Sequence, residues 1–359
     1  MFNIIKKFKV LDLFSGAGGI SCGLHMNPNF ETSVALDNNK YATETFKKNM
    51  PNTTVITGDI TDEDIRKQVI SECKNEWVNM IVGGPPCQGY SLKGKNLGLL
   101  DDRNFLFVEY LKIVDEIQPE VFVIENVKNL LSSAKGWFKD EIVKTITDLG
   151  YIVNYGILNA SDFGVPQKRE RTIFICSKTK NIELPIGDKT KKVTVRDAIS
   201  DLAYIESGEG SFESEYKYNS LSEYQEMMRK NSDKLYNHNA TNHSDTAIEK
   251  LSMIKSECGK ECLPKELWGN QKFNTTWGRL KWDELSPTVD TRFDTPSNGT
   301  NSHPELNRSI TPREAARLQS FPDNFIFYGG RRQVCKQIGN AVPPLMAKAI
   351  GDKICEYYI

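Results

Sequence analysis

The sequence predicts an α/β protein, a doubly wound and mostly parallel sheet joined to a second, smaller and irregular domain. Three observations carry this. Six short apolar runs recur through the first half, segments of helix length separate them, and near residue 180 the rhythm stops and the chain turns polar. Continuous apolar strands alternating with helices are strands buried on both faces, which is the parallel arrangement.

The runs are VLDLF (Val10 to Phe14), TSVAL (Thr32 to Leu36), TTVIT (Thr53 to Thr57), VNMIV (Val78 to Val82), VFVIE (Val121 to Glu125) and TIFIC (Thr172 to Cys176). Asn38 to Asn49, Asn104 to Ile117 and Trp137 to Leu149 have helix length. From about 181 to 308, Ser, Asn, Glu and Lys abound, Trp268, Trp277 and Trp282 cluster, and PSNGTNSHPE (Pro296 to Glu305) punctuates the chain. In TPREAARLQSFP, Thr311 suits an N-cap, Pro312 the first helical position and Pro322 the stop. Gln337 to Ile359 reads as a loop followed by an apolar helix.

With 359 residues, 39% of them hydrophobic, and a net charge of −1, the chain is neither disordered nor, lacking an apolar run of about 20 residues, membrane-spanning. Lys6, Lys7, Lys9 and Asp12 interrupt any signal-peptide core, and eight scattered Cys suit reduced thiols, so a cytoplasmic location is expected. The near-zero charge at first argues against nucleic acid. Residues 1–180, however, hold 22 basic and 22 acidic groups, 181–308 hold 17 and 21, and 309–359 hold 7 and 4. Phosphate contacts need only a local basic surface, for which Lys93, Lys95, Arg169, Arg331 and Arg332 are candidates.

The first run leads into DLFSGAGGI (Asp12 to Ile20), a strand, glycine-rich turn and helix. Such glycines let a ligand approach the backbone, although a tight structural turn accounts for them equally well. Ser21 stands where a dinucleotide fingerprint requires its third glycine, which disfavours a nicotinamide cofactor. Asp37, about 20 residues on, is placed to accept hydrogen bonds from ribose hydroxyls, and Asp59 to reach an adenine edge. Helix capping explains either aspartate taken alone. Together they fit an adenosine ligand without a pyrophosphate, such as S-adenosylmethionine.

The fourth run ends in GGPPCQGYS (Gly83 to Ser91), a loop that packing does not explain. It puts Cys87 in the ligand crevice, where a thiol with an ordinary pKa of about 8.5 is already a strong nucleophile. Glu125 in ENV closes the fifth strand, and QKRER (Gln167 to Arg171) offers Arg169 and Arg171 on one side of the next. A thiol, a carboxyl group and guanidiniums around one pocket suit a heteroaromatic ring that is attacked, protonated and held.

DLFSGAGG, GGPPCQGYS, ENV, QKRER, REAARLQSFP and QIGNAVPP (Gln337 to Pro344) stand in the order found in the cytosine-5 DNA methyltransferases, and the chain resembles a bacterial member of the restriction-modification type. The resemblance covers nearly the whole chain except about 181–308, where that family places its variable target-recognition domain. It implies a Rossmann-like S-adenosylmethionine-dependent methyltransferase, with a discontinuous catalytic domain at 1–180 and 331–359. A target-recognition domain would fill 181–330, including a bracing helix near 312–320.

By the same resemblance the catalytic residues are Cys87, Glu125, Arg169 and Arg171. Cys87 adds to C6 of a flipped cytosine, Glu125 engages N3 and the amine, and Arg171 steadies the ring oxygen. The cofactor, released as S-adenosylhomocysteine, is expected on Phe14, Ser15, Gly16, Gly18, Gly19, Asp37, Asn38, Asp59, Ile60, Pro86, Asn340 and Ala341. Asn38 replaces a frequent aromatic residue, and Asp290 a frequent Thr, with respect to the family pattern.

Double-stranded DNA is the expected partner, met by Gln88, Ser91, Lys93, Lys95, Gln167, Arg279 and Arg292, with Trp277, Lys281 and Asn298 as further candidates. Cys258 and Cys262 with His238 and His243 make a loosely spaced zinc set on paper, but no metal is expected. A monomer is expected, sharing a system with a cognate endonuclease but not stably bound to it. The competing readings are a tRNA cytosine-5 methyltransferase of the same chemistry, a silent regulator that binds S-adenosylmethionine and DNA, and a nicotinamide oxidoreductase.

Overall fold

The computed structural model describes residues 7–86, 105–269 and 275–359. Packing divides the chain into two compact units, one of Met1–Asn159, Glu170–Gly187 and Pro344–Ile359, the other of Ala160–Arg169 and Asp188–Pro343.

The first unit holds β1 (Phe8–Leu13), α1 (Gly19–Leu24), β2 (Phe30–Asp37), α2 (Lys40–Asn49), β3 (Thr54–Thr57), α3 (Glu63–Asn75), β4 (Met80–Gly83), α4 (Phe105–Ile117), β5 (Val121–Val127), α5 (Trp137–Asp148), β6 (Ile152–Asn159) and β7 (Glu170–Ser177), and ends in a helix at Pro344–Tyr358. Its strands form one seven-stranded sheet in the order β3-β2-β1-β4-β5-β7-β6. β7 alone runs against its neighbours, so the expected mostly parallel, doubly wound sheet is what forms. Leu11, Leu13, Val34, Leu36, Ile81, Phe122 and Ile124 are buried on one face, under Phe107 and Ile113 of α4, and Val10, Ala35, Met80, Val82, Val121 and Val123 on the other, which is why the apolar runs read as continuous. Asn39 and Asp62 cap α2 and α3 by accepting from the first free backbone N–H groups.

The order of strands reverses between β1 and β4, with Leu13 beside Gly83, and β4 is followed laterally by β5, with Gly83 beside Ile124. At such a switch point the loops leaving adjacent strands diverge and leave a crevice. The glycine turn, the Pro-Pro segment and Glu125 therefore leave neighbouring strand ends. β6 is absent from the sequence-based expectation. It is an edge strand, IVNYGILN, with Ile152, Tyr155 and Ile157 exposed, and so lacks a continuous apolar run.

The second unit contains α6 (Val195–Ile199), β8 (Gly210–Ser214), α7 (Glu223–Arg229), β9 (Leu235–Asn239), α8 (Asp245–Met253), β10 (Gly278–Arg279), β11 (Thr300–Ser302), α9 (Pro312–Leu318) and α10 (Arg331–Asn340); the terminal helix Pro344–Tyr358 is α11. Thr311 and Glu314 form a capping box at α9, and every residue of that helix is buried. Arg308 grips Glu314 with two hydrogen bonds of 2.8 Å, and Arg317 bridges Asp323 and Asp201. Burial alone would raise the Glu314 carboxyl, but the Arg308 guanidinium outweighs it and holds the group well below the usual carboxylate range. No described helix is long and apolar enough to cross a membrane.

Candidate active site

The glycine turn is shaped by backbone that runs against ordinary preference. Phe14 takes φ 56°, a left-handed conformation costly for an aromatic residue, followed by Gly16 at 53° and Gly18 at 98°. The Gly16 N–H donates to Asp37 Oδ2 at 2.8 Å and Asn39 N–H to Asp37 Oδ1 at 2.8 Å, so the end of β2 is tied to the turn after β1. A Cβ at Gly16 would meet nothing within 4 Å, whereas one at Gly18 would lie 2.9 Å from Phe46. The turn thus opens into space at Gly16 and is packed shut at Gly18. Burial raises the Asp37 carboxyl, opposed by its two backbone donors.

Phe14 packs partly against the core, Ser15 and Gly19 are buried, and Asn38 is exposed. Asp59 is exposed after β3, where its Oδ1 accepts from the Thr61 N–H and hydroxyl, while Ile60 is buried. Asn340, exposed at the end of α10, and Ala341 belong to the second unit.

Glu125 and Arg171 meet through a 2.9 Å contact between Glu125 Oε1 and Arg171 Nε, both side chains mostly buried. Gly84 lies against this pair, since a Cβ there would come within 2.7 Å of Glu125 Oε2. Asn126, on the opposite face of β5, donates from Nδ2 to the Pro85 carbonyl at 2.9 Å. Sequence reasoning missed Asn126 and Gly84, although both lie inside quoted motifs. The signal available was a buried-strand register holding a polar amide, which must find a partner. Pro86 is exposed and is the last described residue of the loop; Cys87, Gln88, Ser91, Lys93 and Lys95 lie outside the described residues.

Asn126→Ala frees the Pro85 carbonyl two residues before Cys87 and is expected to cut turnover roughly 10- to 100-fold, the scale of a 1 Å misplacement, with cofactor affinity unchanged. Single-turnover rates beside equilibrium binding of S-adenosylmethionine check this; unchanged turnover contradicts it.

Three expectations are corrected. β7 begins at Glu170, so Arg169 does not share its strand face with Arg171. Arg169 is buried in the second unit, donating to the carbonyls of Val289, Gly339 and Ala341. Gln167 is also fully buried: its amide donates to Leu318 O and Gln319 Oε1 and its oxygen accepts the Val289 N–H. Arg279 is buried and spends its guanidinium on the carbonyls of Ile254, His303, Leu306 and Leu251 and on Asn307. In this irregular unit the three side chains supply donors that strands would otherwise provide. Arg331 is likewise tied to Asn239 and Ala240, and Trp277 is buried.

Arg292 and Asn298 remain exposed. Asp290 organises their turn, accepting from the Arg292 N–H at 2.6 Å and from Asn298 Nδ2 at 2.8 Å, which gives the unusual Asp a structural purpose. Arg292→Ala is expected to weaken DNA binding by about 5- to 100-fold, the value of one base or phosphate contact, with the thermal midpoint unmoved. Loss of stability without loss of binding contradicts this.

His238, His243 and His303 bond to Thr311 and Ala203, to Ser309, and to the Glu305 and Leu306 N–H groups respectively. Among the described residues the one cluster of candidate metal ligands is Cys258, Glu261 and Cys262, with no histidine, and its two cysteines are joined as a disulfide, which departs from the expected reduced thiols and leaves neither sulfur free as a thiolate ligand.

The glycine turn held by Asp37 and the Glu125-Arg171 pair thus stand at the switch point of a doubly wound, Rossmann-like sheet. The chain belongs to the C-5 cytosine-specific DNA methylase family, whose model matches residues 8–356. It is therefore an enzyme of DNA cytosine methylation. The type II methyltransferase M.DdeI of Desulfomicrobium norvegicum is 37% identical, over 97% of this chain and 89% of that one. M1.HphI of Haemophilus parahaemolyticus is 35% identical, over 96% and 86%. A solved prophage-encoded protein of Escherichia coli, described as a DNA modification methyltransferase, superposes with a TM-score of 0.76 at 26% identity, over 97% of this chain and 98% of that one. The Dnmt2 methyltransferase of S. pombe shares the fold, with a TM-score of 0.59 at 18% identity over 98% of both chains.

Proposed function

We propose that this protein methylates C5 of a flipped cytosine within a specific double-stranded DNA sequence, through a covalent bond between Cys87 and C6. The observation that carries the reading is the Glu125-Arg171 pair beside Gly84, at the entrance of the loop that contains Cys87. Family membership supplies the chemistry.

The Cys87 thiolate adds to C6 while Glu125 delivers a proton to N3, so the ring electrons collect at C5 rather than on nitrogen. Arg171, held by Glu125, steadies the ring oxygen. S-adenosylmethionine, when bound, supplies the methyl group that C5 accepts and leaves as S-adenosylhomocysteine. Loss of the C5 proton to solvent water then restores the C5–C6 double bond and expels Cys87 as thiolate, and N3 returns its proton to Glu125. Extruding the base costs a few kcal/mol, by the general measure of unstacking, which DNA contacts offset.

The residues fit an adenosine cofactor: Gly16 opens into space, and Asp37 carries a carboxylate fixed by two backbone donors. Phe14, Ser15, Gly18, Gly19, Asn38, Asp59, Ile60, Pro86, Asn340 and Ala341 would complete its surroundings. Residues 1–180 with 331–359 would bind the cofactor and perform the chemistry, and 181–330 would read the target, with Gln88, Ser91, Lys93, Lys95 and Arg292 on DNA. The type II names of its relatives support a restriction-modification setting: a cytoplasmic monomer that shares a recognition sequence with an endonuclease without a stable complex.

Bisulfite sequencing of DNA from a host expressing the chain tests this. Protected cytosines at one recurring sequence, lost in Cys87→Ser, are expected. Labelled methyl incorporation into tRNA and not into duplex DNA would overturn it.

A further inference from the structure

One buried carboxylate near the cofactor turn has no part in the mechanism above. Asp12, two residues before Phe14 in β1, is fully buried. Its Oδ2 accepts from the Ser21 hydroxyl at 2.6 Å, and Ser21 accepts in turn from the Thr32 hydroxyl at 2.9 Å. His25 Nε2 accepts the Thr32 N–H at 2.9 Å and also lies 3.1 Å from the Thr32 hydroxyl. Its other oxygen, Oδ1, is buried without a hydrogen-bond partner. An orphaned carboxylate oxygen in a core is expensive for the fold alone.

We propose that Asp12 is a buried charge discriminator behind the glycine turn, favouring a ligand that carries a sulfonium cation over the neutral thioether left when the methyl group has gone. The proposal rests on reading the turn as an S-adenosylmethionine site. Asp12 acts through space, as a specificity-determining residue rather than a contact.

Burial raises the Asp12 carboxyl to about 7; the Ser21 hydrogen bond opposes this, and the Asp37 charge adds to it. Asp37 is the group that braces Gly16, at the turn itself. A cation held there acts with the opposite sign and draws Asp12 toward its ionised form. The other titratable groups around it stay neutral near pH 7. Burial lifts Tyr110 of α4 well above its usual range and Cys22 of α1 to about 12, and lowers His25 after α1. Asp37 would meet the same ribose in both ligands, so its own titration cancels when their affinities are divided.

Linkage fixes the direction of the effect. Protonated Asp12 must lose its proton to favour the cation, so sulfonium affinity rises as pH climbs toward about 7 and levels off above it. Each pKa unit by which the cation lowers Asp12 corresponds to about tenfold in affinity. Proton uptake by Asp12 after transfer would remove the bias and ease product exchange.

Isothermal titration of the full chain with S-adenosylmethionine and with S-adenosylhomocysteine, across mildly acid to mildly alkaline pH, tests this without turnover. In the wild type the affinity ratio of the two is expected to rise roughly threefold to tenfold in favour of S-adenosylmethionine and then level off. Asp12→Asn should abolish the Asp12-dependent rise of the ratio, leaving only the pH dependence that the ligands' own amines contribute, which the comparison with wild type subtracts. Ser21→Ala, which strips the hydrogen bond that favours the anion, should move the levelling-off to higher pH; it keeps the test decisive if Asp12→Asn folds poorly. A ratio with the same pH profile in wild type and both variants overturns the discriminator while leaving the cofactor reading intact. Failure of the wild type to bind either ligand at any pH overturns both.

Discussion

Glu125→Gln lowers methyl transfer to DNA by roughly 10²- to 10⁴-fold, the usual value of a positioned proton donor, and leaves the fold and cofactor affinity unchanged. Glutamine keeps the shape and still offers an oxygen to Arg171, which sits 2.9 Å from Glu125 Oε1. It cannot deliver a proton to N3, so addition of a thiolate to C6 would leave its charge on the ring. The close packing of Gly84 against Glu125 Oε2 admits no bulkier replacement but accepts an isostere. The cofactor turn and Asp37 hang on β1 and β2, apart from β5, so cofactor binding should be spared. Turnover within a few-fold of wild type contradicts the role assigned to Glu125.

Arg317→Ala destabilises the second unit by about 3–5 kcal/mol, the cost of breaking a buried ion pair from one side. Arg317 is completely buried, with Nε and Nη2 on Asp323 at 2.9 and 2.6 Å and Nη1 on Asp201 at 2.5 Å. Without it Asp323 loses its main partner, for which Arg313, 3.6 Å away, compensates in part, while Asp201 keeps Arg229 at 2.6 Å. The pH dependence separates this cause from lost packing. Burial pushes Asp323 up, but Arg317 overrides it and holds the carboxyl below its usual range. In the wild type that contribution is therefore present at neutral pH and fades as acid titrates the carboxylate. In the variant burial dominates, Asp323 protonates more readily, and the deficit should shrink on acidification. Urea unfolding of both proteins over a pH series reads this out. A deficit constant with pH assigns the loss to packing.

The catalytic half was the more legible part of the sequence because its signals interrupt a regular pattern. A glycine cluster, two prolines before Cys87 and a carboxyl at Glu125 all stand at the ends of apolar strands, where core packing has no use for them. The same contrast hid β6, whose exposed face dilutes its apolar residues. The second unit was harder to read because its charges are used inside. Gln167, Arg169 and Arg279 look like DNA contacts in a polar stretch, yet irregular backbone leaves carbonyls without donors, and long side chains fill that need. Which carbonyls lack donors is a property of the folded chain and has no local signature. Arg292 escapes this fate because Asp290 holds its turn from the outside, through the Arg292 backbone N–H and Asn298.

The covalent bond from Cys87 to cytosine is most directly tested by trapping it. A duplex carrying 5-fluorocytosine at the methylated position of the mapped sequence blocks the final elimination, since C5 then bears fluorine where a proton must leave. Incubation with S-adenosylmethionine, digestion and mass spectrometry should find the base, methylated and fluorinated, on the peptide containing Cys87, with no such species in Cys87→Ser. Efficient methylation of ordinary cytosine at that site with no adduct on Cys87 would contradict the mechanism.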